Sequence, residues 1–299
     1  MNFDLSEDQT LLKAALERFV TDSYGGDLEA RRAARITPAG FSAANWARLA
    51  ETGVLALTVA AENGGLGSGR VELIVTMEAL GRGLVAEPVL ETLIAATLLD
   101  AAANAAQHAS HLAPLMAGET LTVLAHAERD ARYNLAHVAT TAKPRGDHVI
   151  IDGTKTAVFA GGPANTLIVS AREAGETRDL AGIGFWLVAA DAPGVDRRSY
   201  RVADGSVAAE ITLRNVEIPA TARLAGDLGT LIPVVATARL AAAAEMLGLM
   251  TLLFDTTLSY VKTRTQFGKP LGAFQVIQHR MTDAYVLVEQ ARSHVVRAA

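Results

Sequence analysis

The chain has 299 residues, half of them hydrophobic, and no cysteine; that is enough chain for two or three domains with a substantial core, and it excludes disulfides, thiolate catalysis and cysteine zinc sites. Lys and Arg number 27 against 32 Asp and Glu, a net charge of −5, which excludes the basic footprint that nucleic-acid binding requires. The acidic opening Met1–Gln9 lacks the basic and apolar regions of a signal peptide. The longest apolar stretch, about Leu240 to Phe254, is interrupted by Arg239 and Glu245, short of the about 20 clean apolar residues that a bilayer span needs. The expected protein is cytoplasmic, with no membrane segment and no nucleic-acid partner.

Residues 1–118 are rich in Ala and Leu. Leu11, Leu12, Ala15, Leu16 and Phe19 recur at the three- and four-residue steps of one buried helix face. Ser6 with Gln9 three residues on is a capping-box pattern. Glu62-Asn-Gly-Gly-Leu-Gly-Ser-Gly is a loop, and a long helix follows from about Val71 until Glu87-Pro88 ends it. Residues 119–228 change to short β-rich runs at Thr122–Ala125, Val138–Ala142, His148–Ile151, Thr166–Ser170, Ile183–Ala189 and Ala208–Leu213, separated by turn pairs such as Gly146-Asp147 and Asp152-Gly153. The runs sit too close together for helical crossovers, so the expected sheet is antiparallel, with no parallel pairing. In residues 229–299 the helical pattern returns. One long helix is expected from near Pro233 to about Thr263, then a loop over Gln266–Gly272, then a second helix from about Phe274. The second helix runs to Ala299 with no stop signal, as in a chain that stops before its last helices.

Arg264-Thr-Gln-Phe-Gly-Lys-Pro-Leu-Gly-Ala-Phe-Gln275, placed between two helices, closely resembles the signature of the acyl-CoA dehydrogenase family. Phe3-Asp-Leu-Ser-Glu-Asp-Gln9, the stretch from Gly53-Val-Leu-Ala-Leu through Glu62-Asn-Gly-Gly-Leu-Gly67, and Asp152-Gly-Thr-Lys155 resemble further parts of that family. The segment Ala127-Glu-Arg-Asp-Ala-Arg-Tyr-Asn-Leu135 is most similar to the small subunit of pimeloyl-CoA dehydrogenase and related two-subunit enzymes. The resemblance covers the whole chain. It implies an α+β fold: an N-terminal helical domain, a middle antiparallel β-barrel-like domain and a truncated C-terminal helical bundle. It also implies a cofactor, FAD, because a hydride leaving the β-carbon of an acyl-CoA thioester has no good acceptor among side chains. A carboxylate in a dry pocket takes the α-proton.

By resemblance, Arg264 and Gln275 reach across a subunit interface to a neighbour's FAD, with the Arg264 fork toward its pyrophosphate, and Phe267 packs on the same cofactor. The flavin-cradling stretch aligns with Ala127-Glu128-Arg129 and then Arg132-Tyr133-Asn134, where the family carries Thr-Glu-Pro and Gly-Ser-Asp. The next strand aligns at Ala157-Val158-Phe159, where the family carries Trp-Ile-Thr. Of these groups only Glu128 survives; backbone amides remain to bind the flavin, and the alternative is that Tyr133 and Phe159 repack a flavin-free pocket. Arg239, twenty-five residues before Arg264, matches an arginine that follows the catalytic carboxylate in a minority of the family, and binds substrate by that analogy. The residue before it here is Ala238, and the nearby acid, Glu245, lies about 10 Å further along the helix, so a structural role is expected for it before a catalytic one. Gly65-Leu-Gly67-Ser-Gly69 is a weak phosphate-loop pattern with no strand before it. His108 and His111 lack a carboxylate close by and read as solvated, not metal-binding. The expected activity is FAD-dependent oxidation of an acyl-CoA to the 2-enoyl-CoA, with electrons passed to an electron-transfer flavoprotein-like acceptor. The alternatives are a non-catalytic subunit completing a partner's FAD site, or an acyl-CoA oxidase-like enzyme. A homo- or hetero-oligomer is expected, because Ala and Leu cover most of the helix from Pro233.

Overall fold

The structure is a computed structural model and describes residues 5–25 and 28–299; Phe3 and Asp4 of the opening motif lie outside them. The chain divides into two compact units, one of Met1–Leu28, Gly69–Val85 and Arg239–Ala299, the other of Glu29–Ser68 and Ala86–Ala238.

The first unit is helical. α1 (Glu7–Tyr24) starts at the expected capping box, in which the Ser6 hydroxyl accepts from the Gln9 amide and the Gln9 side chain accepts from the Ser6 amide. α4 (Arg70–Arg82) buries nearly every residue from Leu73 to Gly81. It stops at Arg82 and does not run to Glu87-Pro88: the Gly83 amide closes onto the Ala79 carbonyl, and Leu84 turns left-handed with φ of 52°. Pro88 instead opens the next helix, a place its fixed φ suits. α8 (Leu228–Thr263) enters this unit at Arg239, and α9 spans Gln275–Ala298. Its start at Leu228 corrects the expected start near Pro233. Asp227 and Thr230 cap each other reciprocally, side chain to amide, and hold the first turn despite the hydrogen bond that Pro233 cannot make. Among the described residues α8 is long and apolar enough to cross a membrane by length and composition. Gly81 of α4 and Gly248 of α8 face each other's helix so closely that a Cβ on either would overlap backbone of the other, at Glu245 and Glu78 respectively. Ion pairs Arg82–Asp255 (2.7 Å) and Glu78–Arg292 (2.6 Å) tie α4 to α8 and to α9.

The second unit packs helices on a sheet. α2 (Leu28–Ile36) and α3 (Ala43–Glu51) precede α5 (Val89–Ala102) and two single turns, α6 (Ala105–Gln107) and α7 (Ala113–Met116). The strands are β1 (Thr122–Ala125), β2 (Thr141–Arg145), β3 (His148–Phe159), β4 (Thr166–Arg172), β5 (Ile183–Ala189), β6 (Val195–Arg201), β7 (Val207–Pro219) and β8 (Arg223–Leu224). Ala95, Leu98 and Leu99 of α5 share a core with Ile168, Phe185 and Leu187 of β4 and β5. The sheet order is β6-β7-β3-β2-β4-β5-β8, with β1 joined to β4.

Most pairs are antiparallel, but the expectation of no parallel pairing fails at two places. β1 lies parallel to β4 over four residues, and β2 touches β4 in parallel at Thr141. The crossover from β1 to β4 needs no helix because the β2–β3 hairpin fills it. β2 begins at Thr141, not Val138, because the amides of Ala139 and Thr140 are spent on the Glu128 carboxylate. β3 and β7 are longer than the apolar runs that announced them. β6 was not anticipated: Val195-Asp-Arg-Arg-Ser-Tyr-Arg is an edge strand paired only with β7, so it carries little apolar alternation to read.

Candidate functional site

A polar cluster lies inside the second unit, beneath β3. Lys155 is fully buried, at 0 % exposure. Its ammonium donates to Glu128 Oε1 (2.7 Å), to Ser170 Oγ (2.9 Å) and to the His126 carbonyl (3.4 Å). Glu128 also accepts from the amides of Ala139 (2.7 Å) and Thr140 (3.0 Å) and from the Thr140 hydroxyl (2.7 Å). His126 Nδ1 meets Ser170 Oγ at 2.9 Å. Burial pulls the Lys155 pKa down to about 8, with the Glu128 carboxylate opposing it. For Glu128, burial raises the pKa, but Lys155 and the donated hydrogen bonds outweigh it and hold the carboxyl below its usual range. Burial, and then the Lys155 charge, lower His126 to about 4. In the sequence, Lys155 stands out only as the end of the Asp152-Gly-Thr-Lys155 hairpin. A lysine in phase with the buried Val149 and Ile151 of one strand was the available signal.

Above this cluster runs a surface edge. The Thr156 amide donates to the Ala127 carbonyl (2.8 Å) and ties the stretch before Glu128 to β3. Ala127 and Ala157 are exposed, Phe159 is 47 % exposed, and Val158 is buried. Ala157 and Ala160 both adopt left-handed backbone, with φ of 49° and 54°, as does Arg132 at 51°. Non-glycine residues rarely do so without a reason. The ring of Tyr133 is 95 % exposed. The edge is therefore backbone and methyl groups with the Phe159 ring at its end. It fits the flat face of an isoalloxazine held by main-chain groups. It offers none of the hydroxyls that the family resemblance calls for, and the Glu128 carboxylate is occupied internally.

The other expected residues lie in the first unit. Arg264 follows α8, and its main chain bonds to the Tyr260 carbonyl and the Leu271 amide, 2.8 Å each. Among the described residues its guanidinium has no partner. Phe267, left-handed at φ 52° and 90 % exposed, rests edge-on against Phe274 with centroids 6.3 Å apart. Lys269 sits 4.3 Å over that same Phe274 ring. A short ribbon of β9 (Thr265–Gln266) and β10 (Lys269–Pro270) shapes this turn, and Gln275 opens α9, exposed. The structure places Arg264, Phe267 and Gln275 at the one connection between α8 and α9. It does not bring Arg239 or Glu245 to them: at 1.5 Å per residue these lie about 35 Å and about 28 Å back along α8. Arg239 is exposed and Glu245 partly buried.

The glycine loop has a packing reason. Gly67, Leu66 and Ser68 donate to the carbonyls of Val59, Ala56 and Leu57, and a Cβ at Gly65 would overlap Val59. His108 and His111 are partly buried, less solvated than expected. His108 Nε2 lies 3.2 Å from the Leu99 carbonyl, and burial lowers the pKa of His111. No group of three metal-ligating side chains occurs among the described residues.

Comparison with known proteins agrees with this architecture. The acyl-CoA dehydrogenase N-terminal domain matches residues 6–119, the middle domain 123–216 and the C-terminal domain 232–299. A probable acyl-CoA dehydrogenase of Bacillus subtilis, YngJ, is 28% identical over all of this chain and 80% of its own length. The solved Tcur3481-Tcur3483 steroid ACAD, a G363A variant, is 30% identical with a TM-score of 0.84, covering 98% of this chain and 77% of its own. The ChsE4-ChsE5 complex of Mycobacterium tuberculosis shares the fold at a TM-score of 0.86 and 24% identity, over 99% of this chain and 78% of its own. With three domain models matched in order along its length, this chain belongs to the acyl-CoA dehydrogenase family, oxidoreductases that use FAD.

Proposed function

We propose that the chain is a subunit of an FAD-dependent acyl-CoA dehydrogenase, which converts an acyl-CoA thioester to the 2-enoyl-CoA and passes its electrons to an electron-transfer flavoprotein-like acceptor. Each FAD is held between two chains. The observation that carries this reading is the separation on α8. Arg264 and Phe267 stand exposed at one end, the arginine without a partner among the described residues, and about 35 Å of helix divides them from Arg239. An exposed Arg264 so far along α8 from Arg239 supports a reading in which its end serves a neighbouring chain's FAD. In the assembly Arg264 pairs with the pyrophosphate, Phe267 and Gln275 pack beside it, and Ala127–Glu128 and Ala157–Phe159 offer main chain to the ring. Arg239 lies beside the acyl-CoA. FAD supplies the hydride acceptor. This chain's residues bind, orient and exclude water.

A second reading is favoured by Ala238, which stands where some members of the family carry the catalytic carboxylate. In it the partner subunit holds the base, and this chain completes the partner's FAD site. The test is flavin absorbance and acyl-CoA-dependent dye reduction, for the chain alone and co-purified with a companion subunit. FAD and turnover that appear only in the complex select the second reading. A lone chain with full turnover selects the first and makes Glu245 the first carboxylate to replace. Arg264→Ala is expected to lower FAD occupancy about tenfold or more, the worth of a hydrogen bond to a charged phosphate, with thermal unfolding unchanged. Arg264→Ala protein with full FAD overturns the site between chains.

A further inference from the structure

β3 and β7 lose register at one point. Lys155 pairs with Ile211 and Val158 with Ala209, so Thr156 and Ala157 together face the single residue Glu210. This is a β-bulge, and it inverts the faces of the strand. Ahead of it the odd-numbered Ile151 and Lys155 point inward; beyond it Val158 and Ala160 do, and Ala157 and Phe159 turn out to the surface edge. The bulge requires left-handed backbone at Ala157, a conformation that alanine resists. Glu210 holds it there. One carboxylate oxygen, Oε1, accepts from the Thr156 hydroxyl (2.9 Å), from the Ala157 amide (3.4 Å) and from the Tyr200 hydroxyl (3.3 Å).

We propose that Glu210 is a positioning residue for flavin binding: by bonding to Thr156 and Ala157 across the bulge it keeps Ala157 left-handed and so keeps the Ala157–Phe159 main chain facing outward, where the ring lies. The inference rests on the FAD-binding reading above. Without the carboxylate, the strain at Ala157 favours return to regular pairing, which would turn the 157–159 edge toward the core.

The experiment is an FAD titration of the full chain, in the assembly it purifies with, alongside hydrogen exchange of the 156–159 amides in the FAD-free protein. Glu210→Ala is expected to weaken FAD binding about tenfold and to speed exchange at 156–159, while Glu210→Gln, which keeps the acceptor oxygen, recovers most of the affinity. Adding Ala157→Gly to Glu210→Ala is expected to restore binding, because glycine adopts the left-handed conformation without strain. A purely structural role for Glu210 would not produce that rescue. Glu210→Ala protein that binds FAD as tightly as the parent, or exchanges no faster at 156–159, overturns the inference and leaves the FAD reading standing; so does weakened binding that Ala157→Gly fails to restore. Parent protein that takes up no FAD in any assembly overturns both together.

Discussion

Lys155 and Glu128 form an ion pair with almost no water around it. Such a pair costs desolvation of both charges, and removing one partner strands the other. Lys155→Met is therefore expected to lower stability by about 3–5 kcal/mol, read from urea unfolding at pH 7. A loss under 1 kcal/mol would mean that Glu128 finds other compensation. His126 gives the cluster a pH dependence. Its folded pKa is about 4 against an ordinary 6.5, so the unfolded chain takes up the proton first as pH falls. The His126 contribution is whole above about pH 6.5 and declines toward pH 4, by ~3 kcal/mol across the window. Glu128, held low, adds a loss in the same direction only below the usual carboxylate range. His126→Asn is expected to flatten the pH 7 to pH 5 part of the curve, measured by denaturant unfolding at each pH. An unchanged slope would assign the acid loss elsewhere.

At the scale of the element, apolar patterning announced α1, β1 and β5 close to their observed bounds: β1 and β5 are short apolar runs buried at nearly every residue, and α1 buries Leu16 and Phe19 of its expected face, although Leu11 and Ala15 of that face are exposed. Two of the three misplaced boundaries share a cause. The start of β2 gave way to Glu128, the end of α4 to the turn at Gly83-Leu84, and the start of α8 to the Asp227–Thr230 cap. Two of these are side chains bonding to backbone, which residue patterns do not display. The crossing of α4 and α8 depends on Gly81 and Gly248 in the same hidden way. Gly81→Ala or Gly248→Ala gains about 1 kcal/mol of helix propensity but forces the helices apart at a cost of about 1–3 kcal/mol or more. A lower melting temperature is expected for either variant; a rise would show that the helices separate without strain.

Across the whole molecule, α8 leaves Met246, Leu253 and Tyr260 more than half exposed, seven residues apart and so in one line along the helix. α9 exposes Val276, Tyr285 and Leu287. A row of large apolar side chains like the one on α8 marks an association surface. Light scattering at micromolar concentration is expected to show a dimer or larger, and Leu253→Asp to shift it toward smaller species with helix content retained. A monomeric parent protein would remove the basis for an FAD site between chains.

The sequence by itself determined the order helical, β, helical, the capping box at Ser6, and the family through the motif at 264–275, since each is written in residues adjacent along the chain. By resemblance it also showed which hydroxyls of the family's flavin-cradling pattern have no counterpart at 127–134 and 157–159. Only the tertiary structure decided that Glu128 is bound up with Lys155 and Thr140, that the bulge opposite Glu210 turns Ala157 and Phe159 outward, that β1 lies parallel to β4, and that α8 runs unbroken from Leu228. The first three depend on partners dozens of residues away and on which face of a strand meets them, and a one-residue bulge reverses that face without changing the composition. The last depends on the Asp227–Thr230 cap, which holds a first turn that Pro233 concealed.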